Sequence, residues 1–270
     1  MESPFKRFRR QDTVTVVRLE GVISSGARPG GQSLSDAALA SVIEVAFSRG
    51  KPKAVALSIN SPGGSPVQSS LITARIRRLA DEKNIPVHAF VEDVAASGGY
   101  WLATAADRIH IDPSSIVGSI GVISASFGFH EFMERKGVER RVYTAGEDKS
   151  MLDPFRPVRE EDVGRIKKIQ KVIHDNFIEQ VRSRRGERLS GENLFTGEIW
   201  VGQDAIDAGL ADEMGHLVPT MKKLYGDKVR FNVVRPKRPL FRRFGLPGVS
   251  DVLSDAEDRA VWARFGVQAP

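Results

Sequence analysis

Two strand-like runs in succession, each ending in a glycine-rich turn that opens into a helix-like run, constrain this chain more than any other feature. The first, Lys53-Ala54-Val55-Ala56-Leu57-Ser58-Ile59-Asn60, puts Val55, Leu57 and Ile59 on one face and small residues on the other. It meets the turn Asn60-Ser61-Pro62-Gly63-Gly64-Ser65-Pro66 and then an amphipathic run with Leu71, Ile72, Ile76 and Leu79 on its apolar side. The second, Val87 to Val91, leads into Asp93-Val94-Ala95-Ala96-Ser97-Gly98-Gly99-Tyr100 and leaves through Tyr100-Trp101-Leu102-Ala103-Thr104-Ala105-Ala106. Units of this kind build an α/β architecture in which ligands bind at the C-terminal ends of the strands. The phosphate-loop patterns G-x-x-x-x-G-K-S/T and G-x-G-x-x-G do not occur.

Ser97 stands at the second junction. A serine on a sharp strand-to-helix turn exposes its hydroxyl while the following backbone N–H groups point outward, where they bind an oxyanion. The plainer alternative is a glycine-rich helix start with Ser97 as its N-cap. A nucleophilic serine needs a base within hydrogen-bond reach. The five histidines, His88, His110, His130, His174 and His216, do not present the usual setting. His88 and His110 alternate with apolar residues in strand-like runs, and His174 lies in a charged helix.

At 270 residues the chain suits one α/β domain with extensions. Strand-like runs recur at 13–23, 53–60, 87–95, 108–112, 119–124 and 140–145, which suggests stacked ββα or βαβ units. Residues 160–183 read as a long helix with Glu160, Glu161 and Asp162 at its positive end. Ile166, Ile169, Ile173 and Phe177 form its apolar stripe, suited to core or oligomer packing.

The motifs Asn60-Ser61-Pro62-Gly63-Gly64 and Ala95-Ala96-Ser97-Gly98-Gly99-Tyr100, in that order, resemble the signal peptide peptidase A family. These are serine–lysine peptidases on the Clp-protease/crotonase fold. The resemblance continues through Ala105-Ala106-Asp107-Arg108-Ile109, Gly118-Ser119-Ile120-Gly121-Val122, and Thr144 to Ser150 with Asp153-Pro154-Phe155-Arg156-Pro157. It closes with Gly197-Glu198-Ile199-Trp200-Val201-Gly202-Gln203-Asp204-Ala205 and Gly209-Leu210-Ala211-Asp212, and so spans residues 13 to 217. It implies a single-domain fold of stacked ββα units with Ser97 as nucleophile and Lys149 as general base. Ser119 would orient the lysine amine, and the N–H groups of Gly64 and Gly98 would form the oxyanion hole, with Gly63 the alternative to Gly64. It also implies a cyclic homo-oligomer, in which Ser97 and Lys149 meet either in cis, within one chain, or in trans, where neighbouring subunits complete each site.

A lysine acts as a base only when neutral, and its ordinary pKa is about 10.4. Burial in an apolar cleft disfavours the ammonium and lowers that value. Glu147 and Asp148 directly precede Lys149 and oppose the shift. On an extended strand they need not do so, since Asp148 would face away from Lys149. The region that carries the histidine base in Clp proteases here reads Ser119-Ile120-Gly121-Val122.

The charge lies at the ends. Residues 1–10 carry four Lys/Arg and one Glu, and residues 231–270 carry seven Lys/Arg and four Asp/Glu. The net +6 resides in these two stretches, and the body is neutral. We therefore divide the chain into a basic tail at 1–12, a peptidase domain at 13–230 and a basic extension at 231–270 with a terminal helix. Both ends interleave cations with phenylalanine, which suits an anionic membrane surface. No nucleic-acid motif accompanies the bases, so nucleic acid is not an expected partner. No apolar run approaches the roughly 20 residues of a membrane span, and the N-terminus lacks the apolar core of a secretion signal. The expected setting is cytoplasmic, peripheral to the inner membrane surface. There is no cysteine, so disulfides and thiolate metal sites are excluded. The serine–lysine chemistry needs no metal or cofactor.

The expected function is a serine endopeptidase that cleaves extended apolar peptides, such as released signal peptides or membrane-protein segments, through an acyl-enzyme. Two rivals share the fold. A crotonase-type acyl-CoA enzyme would use the same N–H groups for an enolate and would not need Ser97 with Lys149. A non-catalytic membrane-associated scaffold is made plausible by Glu147-Asp148.

Overall fold

The computed structural model describes residues 11–25, 34–146, 149–235 and 259–267. The first half of the chain runs β1 (Thr13–Glu20), α1 (Asp36–Ser48), β2 (Ala54–Ser61), α2 (Pro66–Lys83), β3 (Val87–Ala96) and α3 (Gly98–Ala103). Then come β4 (Arg108–Ile111), β5 (Ile116–Gly118), α4 (His130–Arg135) and the long α5 (Glu160–Arg185). The remainder is β6 (Ile199–Val201), α6 (Gly202–Asp207), β7 (Glu213–Met214), α7 (Leu217–Tyr225) and β8 (Arg230–Val234).

The eight strands form one sheet in the order β6-β5-β3-β2-β1-β8, with β4 pairing β3 and β7. All pairings are parallel except that of β5 with β6. The period-two pattern decides what each face meets. Val17, Leu19, Val55, Leu57 and Ile59 face α1 and α2, against Val42, Ile43, Phe47, Ile72 and Ile76. Val14, Val16, Ala54 and Ala56 face the other way, with Phe90 and Met221 of α7. Each fully buried Leu, Ile or Val stabilises the fold by about 1.5–3 kcal/mol.

Local chemistry sets the helix ends. Ser35 and Ser65 accept hydrogen bonds from the N–H groups of Ala38 and Gln68, and Pro66 occupies the first turn of α2. Asn84 ends α2 in the left-handed conformation at φ 51°. In α5, Glu160, Glu161 and Asp162 occupy the first turn and Arg182, Arg184 and Arg185 the last.

Strand β3 changes neighbour along its length, and this positions the site. His88 to Val91 pair with β4, whereas Val94 to Ala96 pair with β5. The register against β2 slips between Ile59 and Ser61. Asn60 spans the irregularity: its Nδ2 donates to Asp93 at 2.8 Å, and its Oδ1 accepts from the Val94 N–H at 3.2 Å. The C-terminal end of β3 is thus steered onto a second partner just before Ser97.

Several expectations need correction. The expected strands at 119–124 and 140–145 do not form. The strand in the first region is β5, which ends at Gly118, and Ser119 follows in the left-handed region at φ 51°. Residues 140–145 are irregular and mostly exposed, and they take no part in the sheet. The extended-strand argument for Asp148 and Lys149 therefore loses its basis, and Glu147 and Asp148 lie outside the described residues. Leu71, expected on the apolar side of α2, is 45% exposed. In the α5 stripe Phe177 is buried, whereas Ile169 is exposed. Sheet and core also continue past residue 230. β8 pairs with β1, and residues 259–263 are helical, with Trp262 buried against Val94 and Ala96 of β3. The basic stretches at 1–10 and 236–258 lie outside the described residues.

Candidate active site

Ser97 ends β3 with φ 50° and ψ −122°. Such a conformation costs a non-glycine residue on the order of 1–3 kcal/mol and persists only where its surroundings enforce it. Three contacts do so. The Ser97 N–H donates to the Gly118 carbonyl oxygen at 2.8 Å, and its own carbonyl oxygen accepts from the Trp101 N–H at 3.0 Å. Gly63 presses on the turn from the side. A methyl group there would lie 2.8 Å from Ser97 Cβ, the Ala96 oxygen and the Gly98 nitrogen, and its φ is +104°. Only glycine satisfies both conditions.

The two glycine turns are thereby brought into contact. The chain after β1 locks the Gly63-Gly64 turn: the Ile23 N–H donates to the Gly63 oxygen, and the Ser65 N–H donates to the Ile23 oxygen, each at 2.8 Å. A side chain on Gly64 would meet that Ile23 oxygen at 2.1 Å. The Gly63 N–H donates to Ser61 Oγ at 3.3 Å, and Ser61 Oγ donates to the Gly21 oxygen at 2.7 Å. The Gly64 N–H has no partner among the described residues. Its nitrogen lies 3.3 Å from where a Cβ on Gly98 would stand. The Gly98 N–H opens α3, where no intrahelical carbonyl reaches it. Ser97, Gly64 and Gly98 border one small cavity of about 20 Å³, closed by Trp101, Ile173 and Phe177.

The structure does not bring Lys149 to this cavity. It lies exposed on a turn, and its side chain makes no hydrogen bond or ion pair among the described residues. Ser119 is adjacent in another sense. It follows Gly118, the acceptor for Ser97, and its N–H donates to the Glu198 oxygen at 2.7 Å. The segment that carries Lys149 packs largely on itself. Phe129 stacks on Phe155 at 5.7 Å, Arg140 lies over the Phe155 ring at 4.7 Å, and Arg140 pairs with Asp153 at 3.2 Å. Phe127, Phe132, Tyr143 and Val158 are exposed along it.

No histidine borders the Ser97 cavity. His88 Nδ1 and His110 Nε2 are 3.1 Å apart in the core, and His88 Nε2 lies 3.1 Å from the Tyr225 hydroxyl. Burial lowers both imidazoles to about 4, with each charged form further opposed by its cationic neighbours. His174 donates from Nε2 to the Ile120 oxygen at 3.0 Å. Burial pushes the Asp212 carboxyl up, but the Arg185 hydrogen bond, the Ile109 N–H and the nearby cations more than offset it, so its pKa is lowered. That pair, at 2.9 Å, is buried and ties α5 to β4.

Sequence reasoning missed three supports. Ser61 takes the Gly63 N–H, the Ile23 backbone locks the glycine turn, and Trp262 packs under β3. Ser61 was visible in its motif, but its partner Gly21 stands 40 positions away. For Trp262 a large aromatic in a charged segment was the only signal.

A parallel sheet with a strained serine at a strand end, abutting a second glycine turn, defines an α/β scaffold of the Clp-protease/crotonase type. The model of peptidase family S49 matches residues 80–228, and the chain belongs to that family. A protein of Brucella melitensis named Na(+)/H(+) antiporter NhaA is 48% identical over 97% of this chain, but that match covers 38% of its own length. No helix among the described residues is long and apolar enough to cross a membrane. The chloroplastic serine protease SPPA of Arabidopsis thaliana is 31% identical over 90% of this chain and 36% of its own. The putative protease MJ0651 of Methanocaldococcus jannaschii is 34% identical over 64% of this chain and 55% of its own. The chain thus spans between about a third and just over half the length of these relatives. Among solved structures, a mutant of the 1510-N membrane-bound stomatin-specific protease with a substrate peptide superposes with TM-score 0.50. That match covers 92% of this chain and 98% of the other at 15% identity, and it shows the shared fold.

Proposed function

We propose that this chain is a serine endopeptidase in which Ser97 attacks the scissile carbonyl and Lys149 serves as base. The observation that carries the reading is the strained Ser97 turn with the Gly64 and Gly98 N–H groups beside it. Ser97 Oγ bonds to the carbonyl carbon as its proton passes to the neutral Lys149 amine. The Gly64 and Gly98 N–H groups take the oxyanion, the largest single contribution in sites of this kind. The Gly63 N–H is engaged with Ser61, which favours Gly64 as the donor. The Lys149 ammonium then protonates the leaving amine and the C–N bond breaks. Water, giving its proton to Lys149, hydrolyses the ester and frees Ser97. Ser119 orients the amine. The solved neighbours include a serine-to-alanine and a lysine-to-alanine mutant of that protease, the latter with a substrate peptide.

Lys149 reaches Ser97 in an assembled ring. Two features support this: the exposed position of Lys149 in the isolated chain, and the exposed aromatic residues of the segment that bears it. The substrates are extended apolar peptides, released signal peptides or membrane-protein segments, paired as an added strand beside the site. The basic ends hold the protein against an anionic membrane on the cytoplasmic side.

The test is Ser97→Ala and Lys149→Ala, each confirmed to assemble and assayed on a denatured casein-like substrate. Full turnover by either variant removes that residue from the mechanism. Activity regained on mixing the two inactive variants supports a site built in trans. Persistent inactivity in verified mixed oligomers supports one built in cis.

A further inference from the structure

A second cavity of about 440 Å³ adjoins the one over Ser97. Pro66, Trp101 and Ile173 line both, so the two are neighbours. Its wall near the junction is apolar. Val67 and Leu71, on the first turns of α2, are 65% and 45% exposed into solvent rather than packed. Trp101 is fixed by stacking on Phe177 at 4.9 Å. Neither α2 residue belongs to a hydrophobic core cluster among the described residues.

The far side, on α5, is different. Asn176, Glu179 and Gln180 line it. Gln180 donates from Nε2 to Thr104 Oγ1 at 3.0 Å, which leaves its amide oxygen as an acceptor. Glu179 has no hydrogen bond or ion pair among the described residues. No Lys or Arg among the described residues lines the groove, although Lys167, Lys168, Lys171, Arg182 and Arg184 all lie on the same helix. The groove thus combines apolar residues of α2 and α3 with polar residues of α5, one of them a carboxylate.

Resting on the peptidase reading above, we propose that this groove receives the side chain of the residue whose carbonyl Ser97 attacks. In this reading Glu179 selects a long side chain with an apolar stem and a cationic tip, lysine or arginine. Ile173, which lines both cavities, and Glu179 are six residues apart on α5, about 9 Å along the helix axis. Leucine falls short of that distance and leaves most of the volume empty. An extended lysine or arginine spans it, laying its methylenes on Trp101 and Leu71 and meeting the Glu179 carboxylate. An acidic side chain meets repulsion there. The preferred substrate is then an otherwise apolar strand with a basic residue at the cleaved bond.

The test uses internally quenched peptides identical except at that residue: Lys, Arg, norleucine, Leu or Glu, with the cleaved bond located by mass spectrometry. At low salt, kcat/KM for Lys and Arg should exceed that for norleucine by about three- to fivefold, the size of a partly exposed ion pair. The ratio should fall towards one in Glu179→Gln and at about 1 M salt. Equal cleavage of Lys and norleucine peptides, or a ratio unmoved by Glu179→Gln, overturns the groove assignment. Norleucine cleavage that vanishes in Ser97→Ala leaves the peptidase reading standing in that event. If no peptide is cut, the peptidase reading falls and the groove assignment falls with it.

Discussion

His174, on α5, donates from Nε2 to the carbonyl oxygen of Ile120 at 3.0 Å. Ile120 directly follows Ser119, and Gly118 before it holds the Ser97 N–H. One side chain therefore ties the long helix to the turn beside Ser97. His174→Ala removes the only donor to that carbonyl among the described residues. We predict a fall in kcat of up to about tenfold, the size of one hydrogen bond, with KM little changed. His174→Gln, which keeps an N–H donor, should restore most of it. A loss confined to melting temperature, with kcat intact, would make the contact purely structural.

Gly64→Ala should abolish most activity. The added methyl meets the Ile23 oxygen at 2.1 Å, and the φ of +141° is unfavourable for alanine. Relief moves the N–H that borders the Ser97 cavity. Losing one oxyanion donor costs about 10²–10³ in kcat. Steady-state kinetics on assembled protein measures this. Activity within a few-fold of the parent would remove the Gly64 N–H from the oxyanion hole.

The His88–His110 pair makes the fold acid-sensitive. Burial lowers both imidazoles from 6.5 to about 4 in the folded state. The unfolded chain binds those protons first, so stability is complete above pH about 6.5 and is lost as the pH falls towards 4. Tyr225, Glu213, Asp107 and Arg108 surround the pair. Urea midpoints at pH 7, 5.5 and 4.5 should decline more steeply for the parent than for a His88→Phe/His110→Phe double variant. Parallel decline in both would assign the acid sensitivity to carboxylates elsewhere.

Trp262 lies buried against Val94 and Ala96, and Ala96 is the residue before Ser97. Ile116 of β5 packs on the same cluster. Trp262→Ala should cost about 3–5 kcal/mol of stability and loosen the serine turn, and Trp262→Phe should cost less. Chemical denaturation gives the first quantity, and the rate of labelling of Ser97 by a serine-directed phosphonate gives the second. Unchanged stability in Trp262→Ala would place the terminal helix off the sheet.

An anionic-liposome flotation assay addresses the basic ends. Truncation at residue 230 would cut away β8 and Trp262, so the comparison is better made by neutralising Lys6, Arg7, Arg9, Arg10, Lys237, Arg238, Arg242 and Arg243. Binding should fall steeply in the neutralised form and in high salt. Equal flotation of both forms rejects anchoring by these residues.

The strand–turn–helix units were legible because their determinants are local. Val55, Leu57 and Ile59 alternate, Ser65-Pro66 starts a helix, and Gly63-Gly64 admits a backbone no other residue tolerates. The strands assigned to 119–124 and 140–145 failed because an apolar alternation does not say whether an edge is available to pair with. The histidines at 88 and 110 read correctly as strand residues among apolar neighbours. Their contact with each other, and with Tyr225 far along the chain, was not readable.

By itself the sequence determined which residues carry distinctive chemistry and which turns they occupy, since periodicity, capping and positive φ depend on near neighbours. Only the folded chain decided that the two glycine turns touch, that Ser61 claims one N–H while Gly64 keeps its own, and that Lys149 does not line the Ser97 cavity within a single chain. The reason is physical. Those relations depend on β3 exchanging one partner strand for another and on parallel pairing between segments tens of residues apart, and no local preference encodes such distances.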